Sequence, residues 1–490
     1  MNSRSLSHAA PAPTLDLNTL KRAFFYVAIG LLFVAPFSQD PMAFAVGAAV
    51  PWVALQIVVR PGLPVAVVFF LLWQWLQPFA RVVQTMVDGE SLANGLYGPN
   101  VARAYWYMLA SVVVLALAIR LVLGRLRPPT TEDRVVCFEW RPLDLFTLYL
   151  AALVLSVVLR YGGIFVSALE QPLDAAAKLK VVALFLLFAS VMITRRGGNL
   201  VLTAFVTELV LGFSGIQSDF RTVFLYVGLG ALAARVQLKG MSVAIGVVGA
   251  AALVSLALFW TAVKAEYREF ATASSDSQSV KVALDDRFGY LGNRVASSAD
   301  IDWSFASYSL ISRLAYTDIF GSVIGVQETS PEPAVMRQWQ EAIDHVFKPR
   351  FLFPDKPALS DTEVYIRLAR GASSEQMRLG TSISVGYMAE NFVDLGFPGM
   401  LGGIFVLGTA YALVIRYFMG LRQLPWLLRE AIVVGFVVNA SINGVESSLP
   451  KLVGATIMYF LVFALMARFA FPTVLGWLRG RSDFRQPQHS

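Results

Sequence analysis

Two stretches late in the 490-residue chain hold residue types suited to phosphates and hydroxyls. The first is Lys348-Pro349-Arg350-Phe351-Leu352-Phe353-Pro354-Asp355-Lys356-Pro357, followed by Asp361, Glu363 and Arg367. Cations alternate there with carboxylates among aromatic rings and prolines. Arginine offers a planar fork matched to phosphate oxygens, and lysine a compact point charge, so such a loop at a membrane surface can hold an anionic head group. The plainer alternative is a solvated loop with surface ion pairs. The prolines argue against it, because a featureless loop has no need of their restricted backbone. The second stretch runs from Thr381 to Gly399 and leads polar residues directly into an apolar run. Glu390 and Asp394 stand four apart, so they share a face of any helix that has begun there. Carboxylates at a membrane boundary are costly unless paired or wetted. One of them can act as a general base toward a hydroxyl; alternatively, both are charges suited to a helix N-terminus.

Other candidates are scattered. Arg103, Arg160 and Arg221 sit at the ends of apolar runs. Each can reach into an external cleft or snorkel to lipid phosphate. Arg313 lies inside the amphipathic run 303–320, where aromatics surround it. Asn439, Asn443 and Glu446, with Ser441, Ser447 and Ser448 beside them, lie in or next to an apolar run. Polar groups at that depth usually face the bundle interior, where they line a path or join helices. The chain has one cysteine, Cys137, and three histidines, His8, His345 and His489. That excludes an intrachain disulfide framework and argues against a metal centre. There is no GxGxxG, Walker, HExxH or CxxC sequence. No cofactor is expected.

These residues need a frame, and the composition says which. The chain is 56% hydrophobic and 15% charged, with mean hydropathy +0.61, whereas soluble domains carry about 25% charged residues. The apolar residues come in runs near the roughly twenty residues that span a bilayer as helix. Twelve spans are expected, at 23–38, 42–59, 62–77, 104–123, 143–161, 178–194, 200–214, 222–234, 241–262, 393–416, 430–446 and 452–471. Lys and Arg collect in 124–142, 195–199, 235–240, 416–429 and the C-terminal tail, which twelve spans put on one side. By the positive-inside rule that side is cytoplasmic, with both termini. The same distribution explains the net charge of +7 without nucleic acid. No cleavable signal peptide is evident, and the first run reads as a retained anchor.

The fold class expected is therefore all-α, a polytopic membrane protein of about 12 transmembrane helices with a large helical extracytoplasmic loop. Residues 1–22 form a cytoplasmic tail, 23–262 spans 1–9, 263–392 the external loop, 393–471 spans 10–12, and 472–490 a second cytoplasmic tail. Residues 264–390 hold thirteen Lys/Arg against seventeen Asp/Glu, a net of −4, while the remainder carries +11. A loop of that length is usually functional. Helices are expected within it at 263–295, 303–320, 334–346 and 361–378.

This plan, with RFLFPDKPALSDTE at 350–363 and TSISVGYMAENFVDLGFPG at 381–399, resembles the O-antigen polymerase-like family. These are oligosaccharide repeat-unit polymerases of bacterial surface polysaccharide pathways. The motif-bearing part is about a third of the chain; elsewhere only the hydropathy matches. The resemblance implies a metal-independent, inverting glycosyltransferase on the periplasmic face of the inner membrane. Its substrates would be undecaprenyl-pyrophosphate-linked oligosaccharides, and membrane lipids and a chain-length regulator protein its partners. It implies pyrophosphate binding by Arg350 and Lys356, with Arg313, Arg221, Arg378 and Asp361 in support, and acceptor activation by Glu390. Ligases of the same broad group depend on a loop histidine, and His345 keeps that alternative open. A flippase or other transporter is the alternative without covalent chemistry. It fits less well, because no two-fold repeat is evident in the span spacing.

Overall fold

The computed structural model describes residues 13–94, 98–166, 169–213, 219–272, 281–332, 336–348, 352–353, 356, 360–370, 383–441 and 443–481. Among them every regular element is helical, apart from one isolated bridge between Thr14 and Gln237. In hydrocarbon a backbone must satisfy its own polar groups, and a helix does so within one segment. The first four helices are α1 (Leu17–Val34), α2 (Pro41–Val58), α3 (Val65–Asp88) and α4 (Pro99–Leu123). A short α5 (Thr131–Glu139) precedes α6 (Pro142–Phe165), α7 (Glu170–Ala177) and α8 (Leu179–Thr194). Then come α9 (Gly198–Phe213), α10 (Arg221–Ala234) and α11 (Gly240–Ala271).

Five short helices follow: α12 (Leu284–Ala296), α13 (Trp303–Leu314), α14 (Thr317–Thr329), α15 (Arg337–Phe347) and α16 (Asp361–Ala369). The chain ends with α17 (Tyr387–Met419), α18 (Trp426–Ser441), a 3-10 turn at Gly444–Glu446, and α19 (Leu449–Gly480). Among the described residues nine helices are long and apolar enough to cross a membrane. The expected spans at 200–214, 222–234 and 430–446 fall on α9, α10 and α18, which have 16, 14 and 16 residues. At 1.5 Å per residue these rise about 21–24 Å, short of a hydrocarbon core about 30 Å thick.

Burial sorts the helices into centre and rim. In α8, Val181 to Val191 are buried without interruption, and α18 is buried on nearly every face. A helix apolar all round belongs in the middle of a bundle. At the rim, α1 and the first two-thirds of α11 leave apolar side chains outward, Phe33 at 76% and Met241 at 75% exposure among them. Left in water, that surface would cost about 25 cal/mol per Å², and a lipid surround removes the cost. The chain is thus a multi-pass helical membrane protein.

The segment between α11 and α17 packs onto one end of the bundle. α11 runs past the expected boundary at 262 to Ala271, and its last turns bury Val263, Tyr267 and Ala271 in a second small core with Leu291 of α12. The run expected as one element at 303–320 is divided at Ala315–Tyr316 into α13 and α14. α14 buries Phe320, Val323 and Ile324, and Gly321 lies so close to Val101 of α4 that a Cβ would meet it. α17 begins six residues before the expected 393 and breaks at Gly396 and Phe397, where φ/ψ are not helical. α19 continues to Gly480, into the stretch expected as a tail.

Candidate functional site

Three carboxylates in the bundle have one task in common. Glu390 of α17, 1% exposed, accepts from the backbone N of Leu449, the first residue of α19. Asp394 accepts from Gln338 N at 3.1 Å and Trp339 N at 2.9 Å, in the first turn of α15. Glu430 of α18 accepts from Val65 N at 2.7 Å, where α3 starts. A helix N-terminus leaves backbone N–H groups without intrahelical partners and carries a partial positive charge. Each carboxylate supplies both the acceptor and the opposite charge. Glu390 and Asp394 are therefore N-terminal charges, of helices other than their own.

Around Glu390 a polar junction joins four parts of the chain. Tyr387 donates its N–H to Ser447 O at 2.7 Å and its hydroxyl to Gln74 Oε1 at 2.9 Å. Asp361 is 9% exposed; it pairs with Lys451 Nζ at 2.6 Å and accepts from Ser448 Oγ at 3.0 Å. The Tyr316 hydroxyl donates to Ser384 O. Gly386 has φ +86°, and a Cβ on it would meet Val445 O. Glycine is thus required there by both the turn and the close approach.

Beside this junction lies a cluster with an excess of positive charge. Arg221 opens α10, Lys264 and Arg268 stand one turn apart near the end of α11, and Arg313 occupies the last turn of α13. Lys264 is near enough to feel the charges of Arg221, Arg268 and Arg313, and the carboxylate that faces Arg221, Lys264 and Arg313 is Glu446. Glu446 accepts from Gln77 Nε2 at 3.3 Å, and the neighbouring Val445 N donates to Gln77 Oε1. The surrounding protein pushes the Glu446 carboxyl above the usual carboxylate range, while Arg221, Arg313 and Lys264 pull it back. Its side chain is nonetheless open to solvent. Arg221, Lys264 and Arg313 make no side-chain hydrogen bond or ion pair with a described residue.

This gathering costs stability. Like charges four apart on a helix repel by a few tenths of a kcal/mol, as Lys264 and Arg268 do. A cation at a helix N-terminus, as Arg221 is, opposes the helix dipole. Arg221, Lys264 and Arg313 stand against the one facing carboxylate, an excess of positive charge suited to a polyanion such as a pyrophosphate.

The sequence-derived candidates separate accordingly. Arg221 and Arg313 come together around Glu446. Arg103 instead pairs with Glu328, and Arg160 lies 3.7 Å from Asp174. Lys356 donates its ammonium to His345 O, at the end of α15. Arg350 and Arg378 lie outside the described residues. Lys264 was missed by sequence reasoning. Its signal was available: Lys264 and Arg268 follow a long apolar run at the start of the segment expected outside, where the positive-inside rule disfavours them. Among the described residues no group of three or more His, Cys, Asp or Glu could hold a metal ion. Compared with known proteins, the chain matches no family model, no curated protein and no solved structure.

Proposed function

We propose that the chain is a membrane-embedded, metal-independent glycosyltransferase that polymerises undecaprenyl-pyrophosphate-linked oligosaccharide repeats on the periplasmic face of the bacterial inner membrane. The observation that carries this reading is the cluster of Arg221, Lys264 and Arg313 around Glu446. Both termini are cytoplasmic in this reading, and the cluster faces outward, where completed lipid-linked repeats arrive.

The cations hold the pyrophosphate of the growing chain. As the anomeric C–O bond breaks, negative charge builds on the departing phosphate oxygen. Guanidinium groups already in place stabilise that charge without reorganisation. The acceptor hydroxyl of a single repeat attacks from the opposite face, and Glu446 takes its proton. One displacement inverts the anomeric centre. Glu446 replaces Glu390 as the base in this scheme, because the Glu390 carboxylate is committed to the start of α19.

The test is the lipid-linked glycan profile of a deletion strain complemented with wild type, Arg313→Gln or Glu446→Gln. Single repeats should accumulate without polymer in both variants, with polymer restored by wild type alone. Normal polymer in the deletion strain would sink the reading. Finished polymer that never reaches its acceptor would assign a ligase instead.

A further inference from the structure

α19 reaches from one end of the bundle to the other. Leu449 begins it beside Glu390, and Arg479 stands in its last turn, about 45 Å away by helix rise. At that second end a cleft of about 570 Å³ opens between the C-terminal ends of α4, α17 and α19, with α5 and the start of α18 closing it. Six arginines line it: Arg125, Arg127, Arg416, Arg422, Arg429 and Arg479. Asp133 is the carboxylate in the lining. It is already engaged, accepting from Thr130 N at 2.8 Å and Thr130 Oγ1 at 2.9 Å at the start of α5.

Two of the arginines are aimed by the backbone. Arg416 donates to Val122 O at 3.0 Å and Arg429 to Met419 O at 2.6 Å. Arg429 Nε is buried with no hydrogen-bond partner among the described residues. Arg125, Arg127, Arg422 and Arg479 make no side-chain hydrogen bond or ion pair with a described residue. Three helix C-termini converge here, and their dipoles offset part of the repulsion among the cations. Membrane topology alone accounts for arginines on this side. It does not account for six of them converging on one recess from four separate segments. That arrangement is what a multiply charged phosphate group needs, since each guanidinium presents two parallel donors to phosphate oxygens. The volume is in the ordinary range for a small-ligand site.

We propose that this cleft binds a ligand carrying two or more phosphate groups, at the end of the bundle opposite the cluster around Glu446. Two sources share that chemistry, a bis-phosphate lipid headgroup and a soluble polyphosphate. The inference does not depend on the glycosyltransferase reading. Occupancy would fasten α4, α17, α18 and α19 to one another at their shared end.

The full chain is compared in phosphatidylcholine nanodiscs with and without diphosphatidylglycerol, and in detergent with inorganic pyrophosphate. The readouts are ligand affinity and the temperature of unfolding, which a ligand bound only by the folded state raises. Monophosphate controls are phosphatidylglycerol and inorganic phosphate. Stabilisation by diphosphatidylglycerol alone identifies a lipid site, and by pyrophosphate alone a soluble one; either supports the proposal. The Arg127→Gln/Arg422→Gln variant alters two exposed, unpaired side chains, so its unliganded stability should hold. Its affinity should fall about 100-fold, roughly tenfold for each charge-assisted contact. No stabilisation from either diphosphate probe, equal effects from the monophosphates, or an unchanged response in the variant would each overturn it.

Discussion

Arg313→Gln separates a binding role from a structural one, because the structure predicts opposite effects on activity and stability. Arg313 makes no side-chain hydrogen bond or ion pair with a described residue, and the repulsion from Lys264 and Arg268 outweighs its through-space attraction to the single carboxylate of Glu446. Neutralising it therefore relieves the fold by a few tenths of a kcal/mol, up to about 1 at an exposed position. The temperature of unfolding should stay level or rise slightly. Activity should move the other way. A hydrogen bond from a guanidinium to a phosphate contributes about 1.5–3 kcal/mol, and each 1.4 kcal/mol is a factor of ten. The variant should lose about 10- to 100-fold in kcat/KM. The assay is chain extension by purified protein in nanodiscs, read as a product ladder from a lipid-linked repeat, with thermal unfolding on the same samples. Arg103→Gln is the control, because Arg103 already pairs with Glu328 and should leave the ladder unchanged. Wild-type activity in Arg313→Gln would refute the reasoning. So would a loss of activity that tracks a loss of stability, which would make the arginine a structural support.

Two further substitutions read the carboxylates. Glu446 must be ionised to accept a proton, and its enclosed position raises its pKa against the pull of Arg221, Arg313 and Lys264. Activity should therefore fall as pH drops through that raised value and level off above it; Glu446→Gln should be slow at every pH yet still retain lipid-linked donor, as measured by rate profiles and donor binding. Glu390→Ala leaves Leu449 N–H buried without its acceptor, which costs about 1–3 kcal/mol; Glu390→Gln, which keeps an acceptor oxygen, should recover part of the lost thermal stability.

Much of the bundle was legible in the sequence because a bilayer imposes long apolar runs whatever they pack against. Over the described residues the expected spans fall on helices, nine of them long enough to cross a membrane, and basic residues of 124–142, 416–429 and the end of α19 line one cleft. The boundaries were less legible. Helices such as α11 and α17 extend past their apolar windows as polar arms, and hydropathy ends where lipid ends rather than where hydrogen bonding does. The amphipathic run at 303–320 gave no sign of its break at Ala315, which lets α13 pack on α3 and α11 while α14 packs mainly on α4.

The site was legible only in parts. Arg221, Arg313 and Glu446 each stood out as charges beside apolar runs. Nothing in a linear reading joins positions 221, 264, 313 and 446, which come from four separate elements. Glu390 and Asp394 misled in the other direction. A boundary carboxylate looks costly and therefore functional, but its cost is offset by the N-terminus of a helix brought close by folding. That donor belongs to a residue 59 positions away for Glu390 and 55–56 away for Asp394.

The helix-starting carboxylates also bear on how the chain is made. Val65 N–H, at the head of α3, is satisfied by a side chain 365 residues later. Gln77, on the same helix, waits 368 residues for Val445, and Gln74 waits 313 for Tyr387. Ribosomes and insertion machinery deliver spans in order, so α3 enters the bilayer long before these partners exist. Until α17 and α18 arrive, its polar groups need a temporary host, either water held in the unfinished bundle or the insertion machinery itself. The early helices can be threaded one at a time, but the bundle closes only once the stretch from Tyr387 through Val445 has been synthesised.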